Sequence, residues 1–334
     1  MSDPLFIHVG DVSQVSAARI ATQKLAHALE FDETQAGRVA LVVTEALTNV
    51  MRHGGGGAFA ARGLFQGEVT GIEMLAIDSG RGMSDFAHSA RDGVTSGTTP
   101  GTGLGAIGRL TDEFDVLTAP GLGTILRMVV WSQSQPPGLG RRYDVGAILV
   151  PKTGETACGD AWAMVEHRDG ATFMVADGLG HGPDASRAAH MALDVLRANP
   201  EASAIRLMDL AHGRLRPTRG AALAVLRHER SRGEIAYAGV GNISATVIEG
   251  GTRRAMVSHN GIVGHNMHKS EEYRYPWPRG ALLVVHSDGL ETQWDLAAFP
   301  GVVARHPSLA AAALFRRHSR KRDDVVVLVA REVA

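Results

Sequence analysis

The sequence predicts a two-domain α/β protein: a mixed helix–strand first half, then a strand-rich half arranged as a β-sandwich flanked by helices. Three observations carry this. The chain has 334 residues, more than one domain at about 100–200 residues each. Residues 132–140, SQSQPPGLG, are polar, contain two prolines and separate two apolar strands. Apolar residues before this stretch recur at helical as well as strand spacing, whereas after it short apolar runs follow one another closely. The domains are therefore drawn at 1–131 and 141–334, with 132–140 as linker.

In the first half LFIHV reads as a short strand. Val15, Ala18, Ala21, Leu25 and Ala28 are spaced as one face of a helix over 13–29. Asp32 and Gln35 resemble a capping box for a second helix to about Arg52, which the run GGGG stops. The strand-like stretches AFAARGLF, GIEMLAI, DVLTA and TILRMVVW follow, with a glycine-rich loop and a short helix, AIGRLTDEF, between the second and third. In the second half DVGAILV, AWAMVEH and ATFMVAD read as strands. Helices at about 183–198 and 203–215 come next, then the strands AALAVLRH, EIAYAGV, ISATVIEG and ALLVVHS. A helix near 308–318 precedes a last strand, VVVLVA.

Composition excludes several classes. Lys+Arg is 34 and Asp+Glu 35, a net charge of -1, without the basic excess of a nucleic-acid binder. The apolar runs are too short for a membrane helix, and the N-terminus lacks a secretory pattern. The single cysteine, Cys158, excludes an internal disulfide or a multi-cysteine zinc site. A cytoplasmic protein is expected. Glycine is the outlier, 40 of 334 residues against a typical ~7%, and its clusters mark two sites.

The first cluster begins on the second helix. Glu45 and Asn49 stand one turn apart on one face, and His53 and Gly54 end the helix. An acid and an amide so placed can serve as proton acceptor and magnesium ligand, although an ordinary amphipathic helix also has a polar stripe. In IDSGRGM, Asp78 ends an apolar strand, where a carboxylate can accept from an adenine amine. Gly80 and Gly82 leave room for a flat base, though DSG also makes a simple turn. In SGTTPGTGLGAIGRL, clustered glycines precede a helix, so backbone amides could face phosphates. Gly103, Gly105 and Gly108 match G-x-G-x-x-G, but no strand leads into them and no GK[ST] follows, which excludes Rossmann and Walker sites.

ExxxNxxxHG, DxGxG and GTGLG in this order resemble the GHKL ATPase/kinase superfamily, and more narrowly the small serine kinases of bacterial partner-switching systems and stressosomes. The resemblance spans residues 1–131 and implies helices on one face of a mixed sheet. It implies ATP and magnesium as cofactors, Glu45 as general base toward a protein hydroxyl, and Asn49 as magnesium ligand. It sets His53, Asp78, Gly80 and Gly82 at the nucleotide, with Gly101, Thr102, Gly103, Leu104 and Gly105 over the phosphates and Thr124 on the adenine side. No helical hairpin precedes the domain to carry a phospho-accepting histidine.

The second cluster is acidic. CGDAW contains Asp160, VADGLGHG contains Asp177 and Gly178, HSDGLET contains Asp288, and RKRDDVVVLVA contains Asp323 and Asp324. Singly these are turn residues; at several strand ends they can converge on hard divalent metals that activate a water toward phosphorus. The set resembles the metal-dependent serine/threonine phosphatases of the SpoIIE/PPM class, over about 141–334. The resemblance implies two manganese or magnesium ions held by Asp160, Asp177, Asp288, Asp323 and the Gly178 carbonyl, with Asp177 bridging and Asp324 as the alternative fourth ligand. Val326 stands where that family usually has Ser or Thr. His181 is expected beside the site, Cys158 as a buried thiol, and His259, His265 and His268 in a loop role. No phosphate-binding arginine is assigned.

The combined expectation is a regulator that phosphorylates and dephosphorylates Ser or Thr on a STAS-domain antagonist or stressosome-type protein. The alternative is a nucleotide-gated phosphatase whose first domain sequesters a sigma factor or activator. Neither reading involves nucleic acid or a membrane.

Overall fold

The computed structural model describes residues 4–84, 103–133, 141–267 and 270–333. It divides into two compact units: Met1–Arg141 with Leu296–Ala313, and Arg142–Asp295 with Leu314–Ala334. The first division falls between Arg141 and Arg142. Segment Leu296–Ala313, assigned from sequence to the second domain, packs instead into unit 1.

Unit 1 contains β1 (Leu5–Val9), α1 (Val12–Ala28), α2 (Glu33–Gly54), β2 (Gly57–Gln66), β3 (Val69–Asp78), α3 (Gly103–Leu110), β4 (Glu113–Thr118) and β5 (Thr124–Trp131). Its sheet runs β1-β2-β3-β5-β4. Every pairing is antiparallel, which corrects the expectation of a mixed sheet. The physical reason is that β2–β3 and β4–β5 are hairpins, and short turns join only antiparallel neighbours. Val39, Val43, Leu47 and Val50 of α2 bury against Phe59, Met74, Met128 and Val130 of the sheet. The reciprocal capping box forms at α1, where Asp11 accepts from Gln14 N and Gln14 Oε1 from Asp11 N (3.1 Å each). Asp32 caps α2 by accepting from Gln35 N at 2.7 Å. The helix expected over AIGRLTDEF ends at Leu110. Asp112 is drawn into pairing with Arg38 and into accepting from Trp131 N at 2.8 Å, and Glu113 starts a strand.

Unit 2 is built from β6 (Tyr143–Val150), β7 (Asp160–His167), β8 (Gly170–Gly178), α4 (Pro183–Ala198), α5 (Ala204–Leu215), β9 (Ala221–Glu229), β10 (Glu234–Val240), β11 (Ser244–Glu249), β12 (Thr252–Ala255), β13 (Tyr273–Pro276), β14 (Leu282–His286) and β15 (Val325–Glu332). Two five-stranded sheets, β13-β10-β9-β8-β7 and β12-β11-β14-β15-β6, enclose a core that includes Phe173, Tyr237, Trp277, Leu283 and Val326. On the outer face of the first sheet, Leu193 and Leu207 of α4 and α5 pack with Met174, Leu223 and Val225. Helix α6 (Pro307–His318) begins in unit 1 and ends in unit 2. No described helix is long and apolar enough to cross a membrane.

Candidate active sites

In unit 1 the end of α2 meets the end of β3. Glu45 and Asn49 lie half-buried on α2, and His53 is exposed at its last turn. The Asn49 amide Nδ2 is buried without a hydrogen-bond partner, the kind of unsatisfied polar group that a bound ligand relieves. Asp78 is 9% exposed. Its Oδ1 accepts from Gly80 N at 2.8 Å and from Thr124 N at 3.1 Å, which holds the carboxylate at the sheet edge. Gly54 lets the helix approach: a Cβ there would stand 2.4 Å from Asp78 Cβ. Gly82 is in the left-handed region at φ 66°, and a Cβ there would lie 1.9 Å from the Ala119 carbonyl. Thr124 is buried, and its Oγ1 lies 3.2 Å from that of Thr118. Gly103, Leu104 and Gly105 open α3, and Leu104 packs on the core. Gly101 and Thr102 lie outside the described residues.

In unit 2 the acidic residues gather at strand ends. Asp160 and Asp177 are directly paired across β7 and β8. Asp160 is buried and accepts from Ser287 Oγ at 2.6 Å; Asp288 accepts from Asn242 Nδ2 at 2.7 Å. Burial, then repulsion from Asp177, pushes the Asp160 carboxyl well above the usual range. Burial, then Asp288, Asp323 and Asp324, pushes Asp177 up to about 7. A carboxylate whose strongest charged neighbours are carboxylates is a donor set that suits a hard cation. Among the described residues, no three His, Cys, Asp or Glu side chains stand close enough to enclose an ion as they are.

The two candidates for the fourth ligand differ in environment. Asp323 is exposed and accepts from Asp324 N at 3.0 Å. Asp324 is 4% exposed: Oδ1 accepts from Lys152 N at 2.9 Å, and Oδ2 is buried without a partner. Gly178 N donates to the Gly159 carbonyl at 3.0 Å, which ties the Asp177–Gly178 turn to the loop before Asp160. Cys158 is partly buried and its thiol is pushed far up, by burial first and then by Asp160 and Asp324. His181 Nδ1 lies 2.5 Å from Glu155 Oε1. His259 is 3.1 Å from the Tyr273 hydroxyl and His265 3.0 Å from the Thr218 carbonyl, so each is engaged with a separate segment of the chain. His268 lies outside the described residues.

Sequence reasoning missed Ser287, Asn242, Glu155 and Arg219. Ser287 was legible as the residue before the Asp288–Gly289 turn, and Asn242 as the end of AGVGN. Arg219 is far from the acidic motifs in sequence. Its Nη2 pairs with Asp184 at 3.0 Å, and its Nη1 lies 3.1 Å from where a Cβ of Gly180 would stand.

Comparison with known proteins matches each half separately. Residues 9–130 match the histidine kinase-like ATPase domain, and residues 167–332 match Stage II sporulation protein E (SpoIIE). The serine/threonine-protein kinase RsbT of Bacillus subtilis (strain 168) is 25% identical over 131 residues, 39% of this chain and 98% of RsbT. A solved chain from the bacterial stressosome, described as a modular system adapted to control secondary messenger signaling, is 31% identical. It covers 57% of this chain and 100% of its own length at a TM-score of 0.53. RsbX in complex with magnesium shares the fold at 17% identity and a TM-score of 0.52, over 59% of this chain and 98% of RsbX. Residues 9–130 thus carry a histidine kinase-like ATPase domain, and residues 167–332 a SpoIIE domain of the metal-dependent (PPM) phosphatase class.

Proposed function

We propose that this chain is a bifunctional partner-switching regulator: its first domain transfers phosphate from ATP to Ser or Thr of a STAS-domain protein, and its second domain removes such phosphates in the cytoplasm. The carrying observation is that one chain holds an acid–amide pair on a helix whose end packs on a strand-end carboxylate and, separately, an edge of mutually repelling aspartates. RsbT, named as a serine/threonine-protein kinase, and the stressosome chain support the partner class.

In the kinase domain Asp78 accepts from the adenine amine, with Thr124 beside it. Gly101, Thr102, Gly103, Leu104 and Gly105 line the phosphates, and Asn49 holds magnesium. Glu45 takes the proton from the incoming hydroxyl, the work of a general base.

In the phosphatase domain Asp160, Asp177, Asp288, Asp323 and the Gly178 carbonyl hold two divalent ions. Such ions supply a water acidic enough to attack phosphorus and offset charge on the phosphoryl oxygens. Ser287 orients Asp160, and Asn242 orients Asp288. Asp324 serves as a buried brace: it accepts from Lys152 N and sets Asp323 at the strand end. Arg219, against the Gly180 turn, is a cation positioned for an incoming phosphate.

The test incubates the full chain with purified STAS-domain proteins and labelled ATP, with magnesium or manganese, and follows phosphate gain and loss. Gain that requires Glu45 and loss that requires Asp177 are the expected results. Partner binding without transfer would make the first domain a sequestering module.

A further inference from the structure

The sheet of unit 1 has a second face, turned away from α1 and α2. Alternation along the strands gives it Arg62 of β2, Glu73, Leu75 and Ile77 of β3, and Ile125, Arg127 and Val129 of β5. These are not surface residues. Glu73 is 1% exposed, Arg127 3%, and Ile125 and Val129 are wholly buried. Polar contacts to this face come from much later in the chain. Ser308 Oγ donates to Glu73 Oε1 at 2.7 Å. Asp115 of β4 accepts from His306 N at 3.1 Å and from Arg305 NH1 at 3.0 Å. Leu309, Ala310, Ala311, Ala312 and Ala313 of α6 are wholly buried.

The chemistry of this face suits one occupant. Glu73 accepts from Arg62 Nε at 2.7 Å and from Arg127 Nε at 2.6 Å. Burial raises its carboxyl, but Arg62 and Arg127 outweigh burial and hold it well below the usual range. Removing the Ser308 hydroxyl would take a donor from the buried Glu73 carboxylate, which costs more than the bond itself contributes. The origin of the segment is informative. Leu296–Ala313 lies within residues 167–332, which match the SpoIIE family, and outside 9–130, which match the ATPase domain, yet it packs in unit 1. It is also part of the connection between Asp288 and Asp323. The strands it meets, β3 and β5, carry Asp78 and Thr124 at their ends.

We propose that Leu296–Ala313 is a built-in docking segment whose receptor is the Glu73–Arg127 strand face, and that its seating there couples nucleotide occupancy to the loop between Asp288 and Asp323. The proposal rests on the nucleotide and metal readings above and adds a mechanical link between them.

The test is hydrogen exchange on the full chain, with magnesium alone and with magnesium plus a non-hydrolysable ATP analogue. With the analogue, residues 76–84 should be protected, and exchange in 286–290 and 305–318 should slow by about fivefold, the low end of measured site-to-site couplings. In Arg305→Ala/Ser308→Ala the remote protection should vanish while 76–84 stay protected. Ser308→Thr, which keeps the hydroxyl, should retain both. If the double variant is poorly folded, Ser308→Ala alone carries the comparison. Protection confined to 76–84 in the wild type, or remote protection unchanged in the variants, would overturn the coupling while leaving the nucleotide site intact. No protection anywhere would overturn the nucleotide reading and the coupling with it.

Discussion

Around Asp78 the neighbours are glycines and backbone amides; around Asp177 they are other carboxylates. Gly54 brings the end of α2 within van der Waals contact of Asp78, and Gly80 N and Thr124 N steady its oxygen. That site is organised by shape and hydrogen bonds without any ligand. Asp177 is pushed up to about 7 by burial and like charge, so the aspartates around it repel one another when ionised. The contrast teaches that ligands should do different things to the two units: nucleotide fills a prepared corner, whereas metal relieves stored repulsion.

The largest expected effect tests the metal site. Asp177→Asn should abolish dephosphorylation, a loss of at least about 10³-fold for the residue orienting both ions and the attacking water. ATP should still bind by calorimetry, because Asp177 is not among the residues assigned to the nucleotide. Full phosphatase activity in this variant would break the two-metal reading.

Glu45→Gln keeps shape and removes the base, and should lower phosphotransfer by about 10²–10⁴-fold with ATP and partner binding intact. Equal single-turnover rates would exclude Glu45 as the base. Asp78→Asn replaces a charged acceptor with an amide. Losing a charged hydrogen bond costs ~1.5–3 kcal/mol, a 10- to 150-fold weaker ATP affinity. Unchanged affinity would remove the adenine assignment.

The fourth prediction concerns pH. Burial and like charge push the native Asp177 carboxyl up to about 7, against about 3.9 for a free aspartate. Between those values the native state binds more protons than the unfolded state, so stability falls as pH rises. Thermal melts of the metal-free chain should therefore show unit 2 losing stability from about pH 4 to 7. Manganese should restore it at neutral pH, since it binds only the native state. A melting temperature flat across this range, or insensitive to manganese, would contradict the stored-repulsion account.

The smallest contrast separates neighbours. Asp323→Asn should cost more phosphatase activity than Asp324→Asn. Asp324→Asn should lower the melting temperature more, because Asp324 is buried against Lys152 N. Steady-state rates and melts of the pair decide the order; the reverse order would move the fourth ligand by one residue.

Much of this was legible before folding. Asp32, Gln35 and the GGGG stop marked α2, and the short apolar runs marked the sandwich strands. The strand-end aspartates were visible as DG and DD after or before those runs. What was misread had a common cause. TILRMVVW is apolar without alternation and is buried along its whole length, the signature of a strand covered on both faces. It was read as a strand, but nothing nearby in sequence names what covers its second face.

The sequence by itself determined the motifs of the two families and the residue types at both sites, because periodicity and motif spacing are local properties. Tertiary structure alone decided that Leu296–Ala313 joins unit 1, that Ser308 meets Glu73 and that Ser287 meets Asp160. It also decided that Asp324 is buried while Asp323 is not. Each depends on burial and on partners 100 or more residues away in the chain or on the pleat of a strand end. Long-range pairing is set by whichever surfaces exclude water together, and no short window of sequence contains both of them.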